Sequence, residues 1–394
     1  MTDDKPIRLA LIWAQYAAYH VDRCEAVAAR LGARARVTAI EVATTSHDYA
    51  WEPSSGVAGA DKITLFPGMA YDAVPVWRRV WALWKATRHC DWVMIGLSYA
   101  EPTALLLSWL LMLGGVRVVV LSESKEDDKP RRSMVEFAKR AALTCYCAAI
   151  VGARRHLAYL RQLGFVQRPL LPGYDGVSVD RVRIQADNLL APAGAPFAAR
   201  EFLFVGRFVD KKNLITLVEG FAWYAGQAEE PPRRLVLVGS GELEPQIRAR
   251  IDALGIAHLV DLPGFLSAAQ VSSRLASALA LVLVSREEQW GLVVNEALSL
   301  GLPALISHQV GSGDALVRDR VNGFIVDSED PAAIGAAMLA LGADEGSWER
   351  MVAASHARSW LGDTGRLADA VEDLLFADGR GSTGRIGEFL AEAG

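Results

Sequence analysis

Short apolar runs alternate along the chain with longer stretches in which apolar residues recur every three or four positions, the period of a helix packed on one face. In the first half, residues 8–13, 35–42, 62–66, 92–97 and 116–121 read as buried strands, with helical patterns between most of them. A second series begins near residue 202, with strands expected at 202–205, 235–238, 259–262, 281–284 and 304–307. Strand-helix-strand rhythm means parallel sheets whose crossovers are right-handed. Between the two series, residues 186–200 contain Ala-Pro-Ala-Gly-Ala-Pro and few bulky apolar side chains, so they read as a linker. The pattern therefore predicts an α/β protein of two doubly wound domains in tandem, residues 1–190 and 198–361. Ligands of such sheets bind beyond the carboxyl ends of the strands, which makes a shared cleft the expected site.

Length and composition agree and narrow the function. The chain has 394 residues, enough for two large domains, and 52% hydrophobic residues exclude disorder. With 41 Lys and Arg against 46 Asp and Glu, a net charge of -5 argues against a general polyanion binder, so no nucleic-acid partner is expected. The four cysteines, Cys24, Cys90, Cys145 and Cys147, lack metal-ligand spacing and read as reduced, buried thiols of a cytoplasmic protein. The short acidic start has no basic leader, so no signal peptide is expected. The most apolar segment, residues 104–115, is shorter than the roughly 20 residues that cross a bilayer, and a buried helix is expected there.

Charge and tryptophan are unevenly spread. Seven of the eleven tryptophans precede residue 110, and residues 129–183 carry eleven Lys and Arg against three Asp and Glu. Two readings stand. In one, Trp77, Trp81 and Trp84 form an ordinary core stripe beside a solvated basic face. In the other, this half meets a membrane surface or a phospholipid-linked acceptor, and the pairs Arg131-Arg132 and Lys139-Arg140 are candidates for contact with an anionic acceptor.

The chemistry concentrates in the second half. A strand there ends in Gly206-Arg207, with Lys212 five residues on. Two readings are open: Arg207 grips phosphate oxygens through its planar fork while Lys212 supplies a point charge, as a leaving diphosphate requires without a metal, or both stand on an ordinary solvated loop. A second strand ends in Gly239-Ser240-Gly241, which lacks the full spacing of a dinucleotide fingerprint; a tight turn and a ligand contact are both open for these glycines. The strongest signal is Glu288-Gln289-Trp290-Gly291-Leu292-Val293-Val294-Asn295-Glu296, a polar turn running into a helix. On one helix the two glutamates would be about 12 Å apart, too far for a hydrolase acid pair. With Glu288 on the turn and Glu296 in the second helical turn, they hold opposite ends of an extended ligand, while amides near Gly291 and Leu292 face phosphate.

These residues resemble glycosyltransferase family 4, retaining enzymes of GT-B fold, whose Glu-x7-Glu motif matches Glu288 through Glu296. The resemblance runs in order through Gly206-Arg207 with Lys212, Gly239 to Gly241, Pro263-Gly264-Phe265, Gly301-Leu302-Pro303 and Val321-Asn322-Gly323-Phe324. It implies two Rossmann-like domains facing across a cleft, the first binding acceptor and the second nucleotide sugar, with residues 362–394 rejoining the first. It implies that Arg207 and Lys212 bind the donor diphosphate, Glu296 the ribose hydroxyls, Glu288 the sugar hydroxyls, and the backbone near Phe265 the base. Gln289 and Trp290 stand where the family often has Pro and Phe, which bears on sugar choice. Many members carry a histidine where this chain reads Leu121-Ser122-Glu123-Ser124-Lys125-Glu126-Asp127-Asp128. Glu123 and Asp128 are the candidates for a polar acceptor-side role there, the other reading being a solvated charged loop. His20 is the other candidate, either as a general base or as a helix-start residue satisfied locally.

The expected activity is transfer of a sugar, with retention and without metal or other cofactor, from a nucleoside diphosphate sugar, on family frequency a UDP-sugar, to an acceptor hydroxyl. The acceptor is expected to be a sugar, a lipid-linked or a small molecule, in cell-surface polysaccharide or glycolipid assembly. Peripheral association with the inner face of a membrane fits that role. The alternatives are a sugar-nucleotide epimerase and a non-catalytic sugar-nucleotide-binding subunit or sensor.

Overall fold

The structure, a computed structural model, describes residues 5–45, 56–128, 132–228, 231–377 and 384–392. The chain divides into two compact units, one of Met1–Gly176 with Thr364–Glu392 and one whose body is Val177–Asp363.

The first unit runs β1 (Ile7–Trp13), α1 (Ala18–Leu31), β2 (Ala35–Thr45), β3 (Asp61–Ala70), α2 (Val76–Thr87), β4 (Trp92–Ile95), α3 (Pro102–Leu113), β5 (Arg117–Ser122), α4 (Ser133–Ala142), β6 (Ala148–Val151), α5 (Arg154–Gln162) and β7 (Leu170–Pro172). The second runs α6 (Val179–Gln185), β8 (Phe202–Val205), α7 (Leu214–Gln227), β9 (Leu235–Val238), α8 (Glu244–Ala253), β10 (Val260–Gly264), α9 (Ala268–Ser277), β11 (Ala280–Leu283), α10 (Leu292–Ser299), β12 (Ala304–Ser307), α11 (Gly313–Leu316), β13 (Gly323–Val326), α12 (Pro331–Gly342) and α13 (Glu345–Arg358). Helices α14 (Gly365–Phe376) and α15 (Gly384–Glu392) then belong to the first unit.

Both sheets are parallel, ordered β3-β2-β1-β4-β5-β6-β7 and β10-β9-β8-β11-β12-β13. Strands buried on both faces need apolar side chains at every position, which is why they appear as unbroken apolar runs. On the first sheet, one core packs α1 and α14 and the other packs α2, α3 and α5. Helix starts follow local chemistry. Asp330 accepts from the amides of Ala332 and Ala333 ahead of Pro331, and Ser267 forms a reciprocal capping box with Gln270.

Four expectations are corrected here. Strands β6, β7 and β13 are additional to those read from the pattern: β7 has only three residues, β6 opens on two alanines and β13 on a glycine, so none stands out as a run of bulky apolar side chains. Residues 177–190 belong to the second unit, because α6 packs on α9 and α10, with Arg183 Nε donating to the Ser299 carbonyl at 2.9 Å. Residues 186–200 are packed rather than a linker: the Ala191 amide donates to Leu300 O at 2.9 Å, and the buried Arg200 guanidinium donates to Ala278 O at 2.8 Å. Finally, α3 is buried on one face only, and the tryptophan stripe is no core stripe throughout. Trp84 packs on the core, but Trp77 is 71% and Trp81 59% exposed.

Candidate functional site

In the second sheet the strand order reverses between β8 and β11, so the loops leaving these two neighbours lie side by side at the switch point, where doubly wound sheets bind ligands. Backbone and side-chain bonds fasten the loops together. The Arg286 and Glu287 amides donate to Lys211 O at 2.8 and 3.4 Å and Asn213 Nδ2 donates to Val284 O at 3.2 Å, while Asn213 Nδ2 also donates to Ser328 O, after β13, at 2.6 Å. Asn213 holds a left-handed conformation at the start of α7, one that asparagine tolerates. This geometry brings Lys212 from the β8 loop onto Glu288 from the β11 loop as a half-buried ion pair, and Ser285 Oγ donates to the same Glu288 oxygen at 3.1 Å. Arg207 stands exposed on the β8 loop.

The glycines of this region serve close backbone approach. A Cβ on Gly239 would lie 1.9 Å from the Gly206 carbonyl oxygen, and one on Gly241 would lie 2.5 Å from the Phe208 carbonyl oxygen. The β8 and β9 loops are thus pressed together, with Phe208 N–H donating to Ser240 O at 2.9 Å. Gly239 N–H donates to Gly264 O at 2.9 Å, tying in the β10 end, where Phe265 is exposed.

The turn carrying Glu288 is held by the loop after β12. Gly311 N–H donates to Glu288 O and Ser312 N–H to Trp290 O, at 3.0 and 2.9 Å. Trp290 is buried and its indole donates to Asn295 Oδ1 at 2.9 Å, so its side chain braces α10 while Gln289 beside it is exposed. Gly291, at φ 97°, begins α10 in a conformation that favours glycine. The helix has neither a side-chain cap nor an acidic residue in its first turn, so its positive end is offered to an anion. Glu288 stands in the turn, Leu292 opens the helix, and Glu296 lies one turn further along it.

The first sheet gathers a second constellation at its carboxyl ends. Arg23 of α1 is wholly buried, donates to Asp175 Oδ1 at 3.2 Å, and lies between the rings of Tyr19 and Tyr174. Asp175 follows β7 and feels the charge of Glu123, which follows β5. Burial, and then that charge, push the Asp175 carboxyl well above its ordinary range, while the Arg23 guanidinium pulls it down. His20 packs beside Trp13 and Tyr16 and accepts the Ala17 N–H on Nδ1 at 3.0 Å, the helix-start role. Burial, and then the Arg23 charge, push its pKa well below the ordinary value, so the ring is neutral.

Glu123 and His20 thus share one neighbourhood. Asp128 is engaged elsewhere, accepting from the Lys125 amide at 2.9 Å and from its ammonium at 3.2 Å. Lys139 bonds Tyr159 at 2.7 Å, Arg132 is exposed, and Arg131 lies outside the described residues. Sequence reasoning missed Arg23 and Asp175. The acid in Gly173-Tyr174-Asp175-Gly176, three residues after the apolar run Leu170-Leu171-Pro172, hinted at Asp175, but nothing local marked its pairing with Arg23.

Residues 191–358 match the family model for glycosyl transferases group 1. The chain is 32% identical over 208 residues to a D-inositol 3-phosphate glycosyltransferase of Streptomyces scabiei, covering 50% of this chain and 46% of that one. It is 28% identical over 166 residues to the poly(glycerol-phosphate) alpha-glucosyltransferase of Bacillus subtilis, covering 42% and 24%. The chain spans about half the length of the first curated relatives it matches. Among solved structures it is similar to sucrose-phosphate synthase from Thermosynechococcus elongatus, with TM-score 0.71 and 20% identity over 94% of this chain and 100% of that one. Anabaena HepE in complex with UDP and glucose gives 0.67 and 14% over 94% and 100%. The family expectation is supported over residues 191–358, where the group 1 glycosyl transferase model matches, and the α/β fold expectation is met, the similar solved structures being of GT-B fold.

Proposed function

We propose that this chain transfers a sugar from a nucleoside diphosphate sugar to an acceptor hydroxyl, with retention of anomeric configuration. The observation that carries the reading is the pairing of Lys212 with Glu288 at the switch point of the second sheet, beside the uncapped start of α10. Lys212 and Glu288 hold each other, and a donor's phosphate and sugar hydroxyls compete for those same two side chains. Arg207, Lys212 and the first amides of α10 meet the diphosphate, Glu288 meets the sugar, Glu296 the ribose, and the backbone near Phe265 the base. Gln289 to Leu292 line the path between sugar and phosphate. A UDP-sugar is the donor we favour, since the solved structures to which this one is similar include a UDP complex.

Negative charge grows on the departing diphosphate in an oxocarbenium-like transition state. Each cation or amide aimed at that charge is worth about 2 to 4 kcal/mol. The diphosphate itself takes the acceptor's proton on the face it leaves, so we infer that neither a metal ion nor another cofactor is required. On the acceptor side we place Glu123, beside Asp175 and Arg23, and we infer a lipid-linked or cell-surface precursor as the acceptor, met at the inner face of a membrane. Among the described residues no helix is long and apolar enough to cross one.

The test is mass-spectrometric detection of nucleoside diphosphate released from UDP-, GDP- and ADP-sugars, with EDTA present and with Glu296→Ala as the control. Release from one donor that survives EDTA and disappears in the variant is expected. Release abolished by the chelator refutes metal independence, and release from no donor across an acceptor screen refutes the transferase.

A further inference from the structure

Helices α2 and α3 lie on the same face of the first sheet and pack on one another. Each buries an inner stripe and leaves an outer one uncovered: Trp77 and Trp81 on α2, and Leu106, Trp109, Leu110 and Leu113 on α3. Leu113 is 76% exposed. The α3 residues follow the spacing i, i+3, i+4, i+7 of a continuous apolar ridge, and Trp77 and Trp81 are four apart on a neighbouring one. Large apolar side chains gathered this way mark a contact surface.

The charges carried by the two helices are of one sign. Neither α2 nor α3 contains an acidic residue. Lys85 Nζ lies 5.3 Å from the Trp81 ring, and the Arg88 guanidinium lies 4.9 Å from the Trp84 ring. Both helices end at the amino-terminal edge of the sheet, where a cavity of about 940 Å³ is lined by Lys5, Arg8, Arg36, Arg88 and Arg117, with Asp91 its one carboxylate. Arg8 is held by that Asp91 at 3.0 Å and Arg36 by Asp61 at 2.9 Å, while Arg117 lies over the Trp92 ring at 4.9 Å.

Exposed tryptophan and leucine beside arginine and lysine, on helices that carry no acid, is the composition of a surface that beds into a headgroup layer. We propose that the outer face of α2 and α3 is a docking surface for an anionic phospholipid bilayer, with the apolar ridge entering the interface and the cationic basin at its foot taking the headgroup phosphates. The docking stands on this surface alone. That it brings a lipid-linked acceptor to the enzyme rests on the transferase reading.

The experiment is co-flotation of the full chain with phosphatidylcholine vesicles with and without phosphatidylglycerol, with no donor present. Binding at least about tenfold stronger to the anionic vesicles is expected, weakening by about tenfold or more in Trp77→Ser/Trp81→Ser and, separately, in Lys85→Glu/Arg88→Glu, and falling with salt. These side chains lie outside the core, so both variants are expected to keep the wild-type circular dichroism, which is the check on folding. Three results would overturn the proposal: no flotation with anionic vesicles, flotation that neither variant alters, or a concentration-dependent dimer abolished by the tryptophan variant, which would make the face an interface between two copies. Because no donor is used, failure here leaves the transferase reading intact, and a donor panel that fails leaves this one intact.

Discussion

Replacing Gly239 by alanine tests whether the glycines of the β8 and β9 loops build the donor site. Gly239 sits at φ 132°, a conformation side chains rarely adopt, and its new Cβ would lie 1.9 Å from the Gly206 carbonyl oxygen. Holding a non-glycine residue there costs roughly 1 to 3 kcal/mol. A Cβ comes no closer than 3.0 Å to such a neighbour, so the two loops must part by about 1 Å. The displaced residue, Gly206, immediately precedes Arg207, so the strain arrives at the proposed phosphate grip. A 1 Å misplacement at a reacting centre costs on the order of 100-fold in rate. The variant is therefore expected to melt lower and to lose about 100-fold in kcat/KM for the donor. Gly226→Ala is the control, because nothing lies within 4 Å of its new methyl group. Steady-state kinetics with the donor, beside circular dichroism for the fold, supplies the readout. A Gly239→Ala protein that keeps the native spectrum and an undiminished kcat/KM would refute the reasoning.

Three further outcomes are expected. Lys212→Ala lowers kcat/KM by about 30- to 1000-fold in steady-state kinetics, the equivalent of 2 to 4 kcal/mol of diphosphate stabilisation; a change under threefold contradicts its role. Asp175→Ala leaves the buried Arg23 guanidinium without its ion-pair partner and costs about 3 to 5 kcal/mol in denaturant unfolding, whereas an apolar replacement of both residues recovers most of the loss. His20 gives a pH signature. Its folded pKa is depressed, so on acidification the unfolded chain takes up a proton near the ordinary imidazole pKa of about 6.5 while the buried ring does not. The stability its neutral ring lends is complete above that pH and is lost as pH falls through the window between the two pKa values. Melting temperatures from pH 7.5 to 5 should drop less in His20→Gln than in the wild type, and equal drops would contradict the assignment.

The second sheet was legible because its strands are uniform apolar runs: the spans read as 202–205, 235–238 and 304–307 coincide with β8, β9 and β12. Strands β6, β7 and β13 were not, since Ala148-Ala149 and Gly323 open two of them on small residues and Leu170–Pro172 has only three positions. The Glu288 turn and the helix through Glu296 were visible as a polar break between a strand and a helical pattern. Their fastening was invisible, because Gly311 and Ser312 meet the turn only through the fold. Arg23 and Asp175 lie 152 residues apart, and nothing local marks a buried pair of that separation. The apolar segment now known as α3 was read as buried because hydropathy does not say which face a neighbour covers. Its outward leucines are what the docking proposal rests on.

The central claim is that Arg207, Lys212 and the start of α10 hold a diphosphate. The direct measurement compares the affinity of the wild type for the free nucleoside and for its diphosphate, using the base chosen by the donor panel, and repeats the comparison with Arg207→Ala/Lys212→Ala. The account predicts that the diphosphate binds at least about 100-fold more tightly than the nucleoside, a difference of about 2.7 kcal/mol, and that the double variant erases most of that gap. Equal affinities in the wild type, or a gap that the variant leaves untouched, would contradict it.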